Sequence, residues 1–226
     1  MPWNPQRRTF RPHLEEAELL AMAEASDWEG LVEHAQAWLD AWPDQLPPYQ
    51  WTFMGLSRRD GIPAAEAWAR AILPSASGPK RGYLSAAIVL HVLTPAKVGD
   101  WRNLSPNSAE LELVELAEQA WRESRDQVRW ASIALPVVRA LQGECEVARR
   151  HAAEARRLHH MQQIERGWLA AVDCLTDAGE GNLSGAQAHL QQLRNINPNS
   201  RYLPAAEASL VIAAGGGLPG VDATQT

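Results

Sequence analysis

Two stretches of this chain, Trp130 to His160 and Trp168 to Pro198, carry the same residue pattern 38 positions apart. Sliding one over the other sets Trp130 on Trp168, Ala134 on Val172, Val137 on Leu175, Gly143 on Gly181, Ala148 on Ala186, Ala152 on Leu190 and Ala155 on Leu193. A period of this size marks stacked supersecondary units, each too small to bury its own apolar face alone. Such a stack offers surfaces to bind with and no built-in catalytic cleft.

Apolar residues follow helical spacing from His13 onward, interrupted at Trp42-Pro43, Pro47-Pro48, Asp60-Gly61, Pro74 to Gly82, Pro95 to Pro106, Gly143, Gly179 to Gly181 and Pro198. No stretch reads as a strand. The pattern predicts eleven helices, near 13–25, 28–41, 48–58, 63–73, 81–94, 107–123, 126–141, 145–159, 162–178, 183–195 and 204–213. Residues 1–12, with three prolines, read as an extended basic arm, 13–214 as the helical domain, and 215–226, with Gly215-Gly-Gly217 and Pro219-Gly220, as a disordered tail.

Several helix ends have a chemical cause. Asp27 can cap the helix entering at Trp28, Asn107 with Glu110 reads as a variant capping box, and Asn182 or Ser184 can cap the helix carrying Ala186. Gly61, Gly143 and Gly181 stand where turns need a positive φ. Every second helix repeats one apolar code at relative positions 0, 4 and 7, often with 8. It is carried by Leu31, Ala35, Trp38 and Leu39; by Ala64, Trp68, Ala71 and Ile72; by Leu113, Ala117, Ala120 and Trp121; by Ala148, Ala152 and Ala155; and by Ala186, Leu190 and Leu193. Most of the 10 tryptophans lie beside alanine at helical spacing, the large-against-small pairing that fills helix interfaces.

These residues resemble the tetratricopeptide repeat. Gly181, Leu183, Ala186, Leu190, Leu193 and Pro198 match its motif best, followed by Gly143, Cys145, Ala148, Ala152 and Ala155, then Trp28, Leu31, Ala35, Trp38 and Pro43. Trp51, Met54 and Gly55 are similar to its first-helix signature, with a turn to Ala64 about three residues too short for a 34-residue repeat. The third unit departs further through the long Pro-containing connection of residues 94–107. The resemblance implies an all-α fold: an αα-hairpin solenoid coiled as a right-handed superhelix, with about five hairpins and a C-terminal capping helix.

Charge is unevenly spread. The net charge is −6, yet residues 13–50 hold nine acids and neither Lys nor Arg, while Arg7, Arg8 and Arg11 sit just before them. That acidic half argues against nucleic acid, whose affinity depends on neutralising phosphates. Basic character returns at Arg149, Arg150, Arg156, Arg157 and Arg166, among His151, His159 and His160, and reads as a solvated helix face. With two cysteines in apolar helical patterns, no apolar run long enough for a bilayer and no secretory start, the expected location is the cytoplasm and no membrane contact is expected.

Catalytic patterns are missing. Gly181-Asn-Leu-Ser-Gly185 places its serine one position late for a nucleophile elbow, and neither Gly78-Pro-Lys80 nor Gly215-Gly-Gly217 has phosphate-loop spacing. His151, Glu154, His159 and His160 lack the helical His-x-x-x-His spacing of a metal site. No enzymatic activity, cofactor or metal is expected.

What remains is a protein-protein interaction adaptor or scaffold. Its concave face, built from the first helices of the hairpins, would hold a partner peptide or helix carrying an acidic segment. The candidate contacts are Tyr49, Trp51, Arg58, Arg129, Trp130, Arg139 and Trp168, with packing between repeats as the competing role for the three tryptophans. Two alternatives stand beside it. One is self-assembly into a homo-oligomer, with the basic arm docked on the acidic first hairpins of a neighbour or, in cis, of its own chain. The other is a ligand or peptide sensor of the kind found among bacterial proteins of similar architecture, including secretion chaperones.

Overall fold

The computed structural model describes residues 12–92, 109–200 and 202–215. Among the described residues there are eleven α-helices and no strand: α1 (Pro12–Glu24), α2 (Trp28–Ala41), α3 (Pro47–Arg59), α4 (Ile62–Ile72), α5 (Gly78–Val92), α6 (Ala109–Ser124), α7 (Arg129–Leu141), α8 (Cys145–Leu158), α9 (Gln163–Gly179), α10 (Leu183–Ile196) and α11 (Leu203–Ala213). A short 3-10 turn, Leu73–Ser75, follows α4. The all-α reading holds. The basic arm through Arg11, the connection over 93–108 with its Asn107 cap, and the tail from 216 lie outside the described residues.

One turn is built three times. Ser26, Gly143 and Gly181 take φ of 57°, 76° and 79°. The next residue then caps the following helix with nearly the same backbone: Asp27 at φ −81°, ψ 74°, Glu144 at −82°, 63° and Asn182 at −79°, 74°. In each copy that residue's N–H donates to the carbonyl five positions back: Asp27 to Met22 at 2.9 Å, Glu144 to Arg139 at 2.9 Å and Asn182 to Asp177 at 2.8 Å. This is the Schellman pattern, which uses a left-handed residue to satisfy the last carbonyls of a helix. Asp27 and Asn182 also accept from the N–H groups of Gly30 and Gly185 as expected, at 3.0 and 3.2 Å.

Ser26 is the odd member, since a Cβ in the left-handed region costs roughly 1–2 kcal/mol. Ser26→Gly is expected to raise stability by about 0.5–1 kcal/mol and Gly143→Ala to lower it by about 1 kcal/mol, opposite signs readable in urea unfolding.

The repeated apolar code becomes a buried stripe. Leu31, Ala35 and Trp38 on α2, Leu113, Ala117, Ala120 and Trp121 on α6, Ala148, Ala152 and Ala155 on α8, and Ala186, Leu190 and Leu193 on α10 are all buried. Helix α4 departs from the expected register. Its buried residues are Ala65 and Ala69, whereas Ala64, Trp68 and Ile72 are half-buried and Ala71 is exposed. The alanines take the close approach, and the Trp68 ring lies over the edge of the core, 6.4 Å from the Tyr49 ring.

Each helix packs on the next, and a second set of contacts links α1 to α3, α3 to α5, α5 to α7, α7 to α9 and α9 to α11. The odd-numbered helices therefore form a continuous row flanked by the even-numbered ones. In its middle the row is buried on every side: Gly82 to Leu90 of α5, Ala131 to Val138 of α7 and Gly167 to Val172 of α9 run without an exposed residue. Tyr202, at the start of α11, is fully buried and donates its hydroxyl to the Leu90 carbonyl at 3.0 Å, joining parts of the chain 112 residues apart. A smaller cluster of Leu19, Leu31, Ala35 and Trp38 holds α1 and α2 together.

Candidate partner-binding surface

The seven residues singled out from sequence occupy three places. On α3, Tyr49 is buried, with its hydroxyl donating to the Pro43 carbonyl at 3.0 Å. Burial raises its phenol pKa above the ordinary tyrosine value, opposed by the nearby Lys80 ammonium. Trp51 is half-buried against the smaller apolar cluster, and Arg58 is exposed in the last turn. At the far end of α7, Arg139 pairs with Glu118 and donates to Glu144 Oε1 at 3.1 Å and to Gln142 Oε1 at 3.0 Å. The remaining three come together.

Trp130 and Trp168, equivalent in the repeat, meet edge to face with ring centroids 5.3 Å apart. They extend a row of rings that crosses four helices: Tyr83 stacks on Trp130 at 5.2 Å, and Phe53 and His91 lie 5.3 Å apart, as do His91 and Trp130. Aromatic pairs in this range add stability beyond their buried area. Trp168 is 6% exposed, so little of its ring faces solvent.

Beneath them sits Glu165, 1% exposed. Its carboxylate accepts from Trp130 Nε1–H at 3.2 Å and from the Gln162 backbone N–H at 2.9 Å, with Arg129 Nε 3.9 Å away. Arg129 also donates to the His160 carbonyl at 3.5 Å. Glu165 was not singled out from sequence; the signal is the capping box Gln162-x-x-Glu165, obscured because Gln is a rare first member.

The end of α8, the following loop and helices α9 and α10 border an open cavity of about 390 Å³. Arg156, His159, His160 and Arg166 stand around it, with Asp173 and Gln192, over an apolar floor of Met161, Leu169 and Ala170. Asp173 is its one acid and is already paired with Arg156. Arg166, and Arg157 nearby in sequence, are exposed and form no ion pair among the described residues. His159 Nε2 stands 2.6 Å from the Arg125 carbonyl, which fixes Nε2 as the protonated nitrogen. The cavity combines positive charge with an apolar floor, which suits a carboxylate on an aliphatic stem. Arg149, Arg150, Arg156, Arg157 and Arg166 are all exposed, as expected of a solvated face, and Arg156 and Arg166 among them also line this cavity.

A second cavity, of about 400 Å³, lies between the ends of α7, α9 and α11 and is lined by Leu141, Cys145, Leu175, Ala178 and Ile212 among others. Cys145 is partly exposed there, whereas Cys174 is buried and its thiol pKa is pushed up to about 11 by burial, with smaller contributions from Asp177 and Asp173. Because the thiolate is the nucleophile, iodoacetamide at neutral pH is expected to label Cys145 and spare Cys174 until the chain is unfolded. Peptide mass mapping reads this directly, and equal labelling of both would contradict it.

No protein-family model, curated protein or solved structure matches the chain. Among the described residues no helix is long and apolar enough to cross a membrane.

Proposed function

We propose that this chain is a binding module of the helical-repeat type, an αα-hairpin solenoid similar to tetratricopeptide repeats, that holds an acidic segment of a partner protein. The thrice-built turn and the recurring buried stripe support the hairpin reading. The observation that carries the function is the basic cavity between α8, α9 and α10, in which Arg166 has no counter-ion among the described residues. The concave face first expected to bind is largely taken up by the packing of α5, α7 and α9 on one another. Docking therefore belongs at the cavity rather than along the odd-numbered row, with His160 lining it, Arg129 bonded to the His160 carbonyl, and Tyr49 and Arg58 away from it on α3.

Fluorescence anisotropy with labelled dodecamers rich in Glu and Leu tests this. Wild type should bind the acidic peptide in preference to a Gln-substituted control, more weakly as salt rises. Arg166→Glu should weaken binding about tenfold or more, and Arg58→Glu should leave it unchanged. Equal affinity in wild type and Arg166→Glu would refute the site.

Self-assembly is the second reading, favoured by the charge complementarity between this basic cavity and residues 13–50, which hold nine acids and neither Lys nor Arg. It requires a concentration-dependent oligomer in sedimentation that dissociates on Arg166→Glu.

A further inference from the structure

The interface between α1 and α2 buries a carboxylate against an imidazole. Glu15 is 3% exposed and His34 is 5% exposed. His34 Nε2 stands 2.9 Å from Glu15 Oε2 and 3.9 Å from Glu18 Oε2, and the three groups offer ligand atoms all within 4.8 Å of one another. Glu15 and Glu18, three positions apart, share one face of α1, and His34 reaches them from α2. Two carboxylates thus converge on one imidazole at a largely buried point between two helices. An ionised carboxylate taken out of water is costly unless a positive charge compensates it.

We propose that His34 Nε2 and one oxygen each from Glu15 and Glu18 bind a divalent transition-metal ion of the zinc type. Metal–ligand distances of about 2.0–2.1 Å in a tetrahedral site place ligand atoms roughly 3.3 Å apart. The separations of 2.9 and 3.9 Å at His34 bracket that value. Glu18, whose side chain is 41% exposed, is the outermost of the three ligands, and water can supply a fourth from the solvent side. An imidazole with two carboxylates suits zinc and its first-row neighbours better than calcium or magnesium, which take all-oxygen sets. The ion has a structural role. Among the described side chains of α1 only Leu19 is apolar and wholly buried, and an ion bridging α1 to α2 fastens a helix that packing alone holds lightly.

The test uses the full chain with its affinity tag removed, stripped by chelator, with Zn²⁺ and Co²⁺ as probes. Calorimetry should show one equivalent of Zn²⁺ bound with a rise in melting temperature. Co²⁺ should give the visible absorption of a four-coordinate site, bleached by Zn²⁺. Glu18→Gln, at a half-exposed position that leaves the fold intact by circular dichroism, should weaken Zn²⁺ about tenfold or more. His34→Gln should abolish the Co²⁺ band, and His159→Ala/His160→Ala should retain full binding. The proposal fails if wild type takes up no stoichiometric Zn²⁺, if Glu18→Gln binds as tightly as wild type, or if the double histidine variant removes the binding. In those cases the cluster is a buried hydrogen bond between Glu15 and His34.

Discussion

Replacing Trp168 with Ala lowers folding stability by about 3–5 kcal/mol, the range for removing a large aromatic side chain from a packed interior. Trp168 is 6% exposed and closes the ring row against Trp130 at 5.3 Å and His91 at 5.9 Å, so its loss opens a cavity bordered by α5, α7 and α9 at once. These helices are buried throughout their middles and have little freedom to collapse into the space. Trp130→Ala should cost less, because that ring is half-exposed. Equilibrium unfolding in urea, followed by circular dichroism, measures both. A loss under 1 kcal/mol for Trp168→Ala would mean that the ring row is not the centre of the fold.

Glu165→Ala is expected to cost about 3 kcal/mol. The carboxylate is 1% exposed and accepts two hydrogen bonds, from Trp130 Nε1–H and the Gln162 N–H. Removing it strands both donors, and leaving buried polar groups unpaired is more costly than the net worth of the bonds. It also deletes the capping box that starts α9 and the link from that start to α7. Glu165→Gln should be milder, since its carbonyl can still accept from one donor while its amide replaces the second acceptor with N–H groups. The same unfolding experiment, with the Trp130 indole followed by fluorescence, separates a global loss from local release of the α7–α9 link. A neutral Glu165→Ala would show that the burial of this carboxylate contributes nothing.

The elements that local chemistry dictates were legible in the residue pattern. Asp27, Asn182, Gly143 and Gly181 act through neighbours three to five positions away, so their roles at helix ends follow from short spacing alone. The stripes on α2, α6, α8 and α10 were legible because a one-sided helix repeats every three to four residues. Helices α5, α7 and α9 escaped that logic: buried on several faces, they have no single stripe, and the row they form was expected to be an open face. Helix α4 misled because Trp68 and Ala69 both fit an apolar position and only tertiary packing chooses between them.

The sites were harder to foresee for a geometric reason. The basic cavity draws Arg156 from α8, His160 from a loop, Arg166 from α9 and Gln192 from α10, and no spacing within one helix announces that convergence. The Glu15, Glu18 and His34 cluster spans two helices and contains no repeated histidine, so a search for helical ligand spacing passes over it. Trp130 and Trp168 were named both as contact candidates and as packing residues, and their rings do touch each other.

Docking of an acidic partner segment at the cavity between α8, α9 and α10 is tested most directly by site-specific photocrosslinking. A benzophenone side chain placed at Gln192, an exposed position on the cavity wall, would be activated in lysate, with the same group at Gln36 on exposed α2 as the control. A discrete adduct is expected from position 192 that is absent from position 36, is lost in the Arg166→Glu background, and maps by mass spectrometry to an acidic segment of another protein. No adduct above the control at 192, or crosslinks only to residues 13–50 of a second copy of this chain, would contradict it.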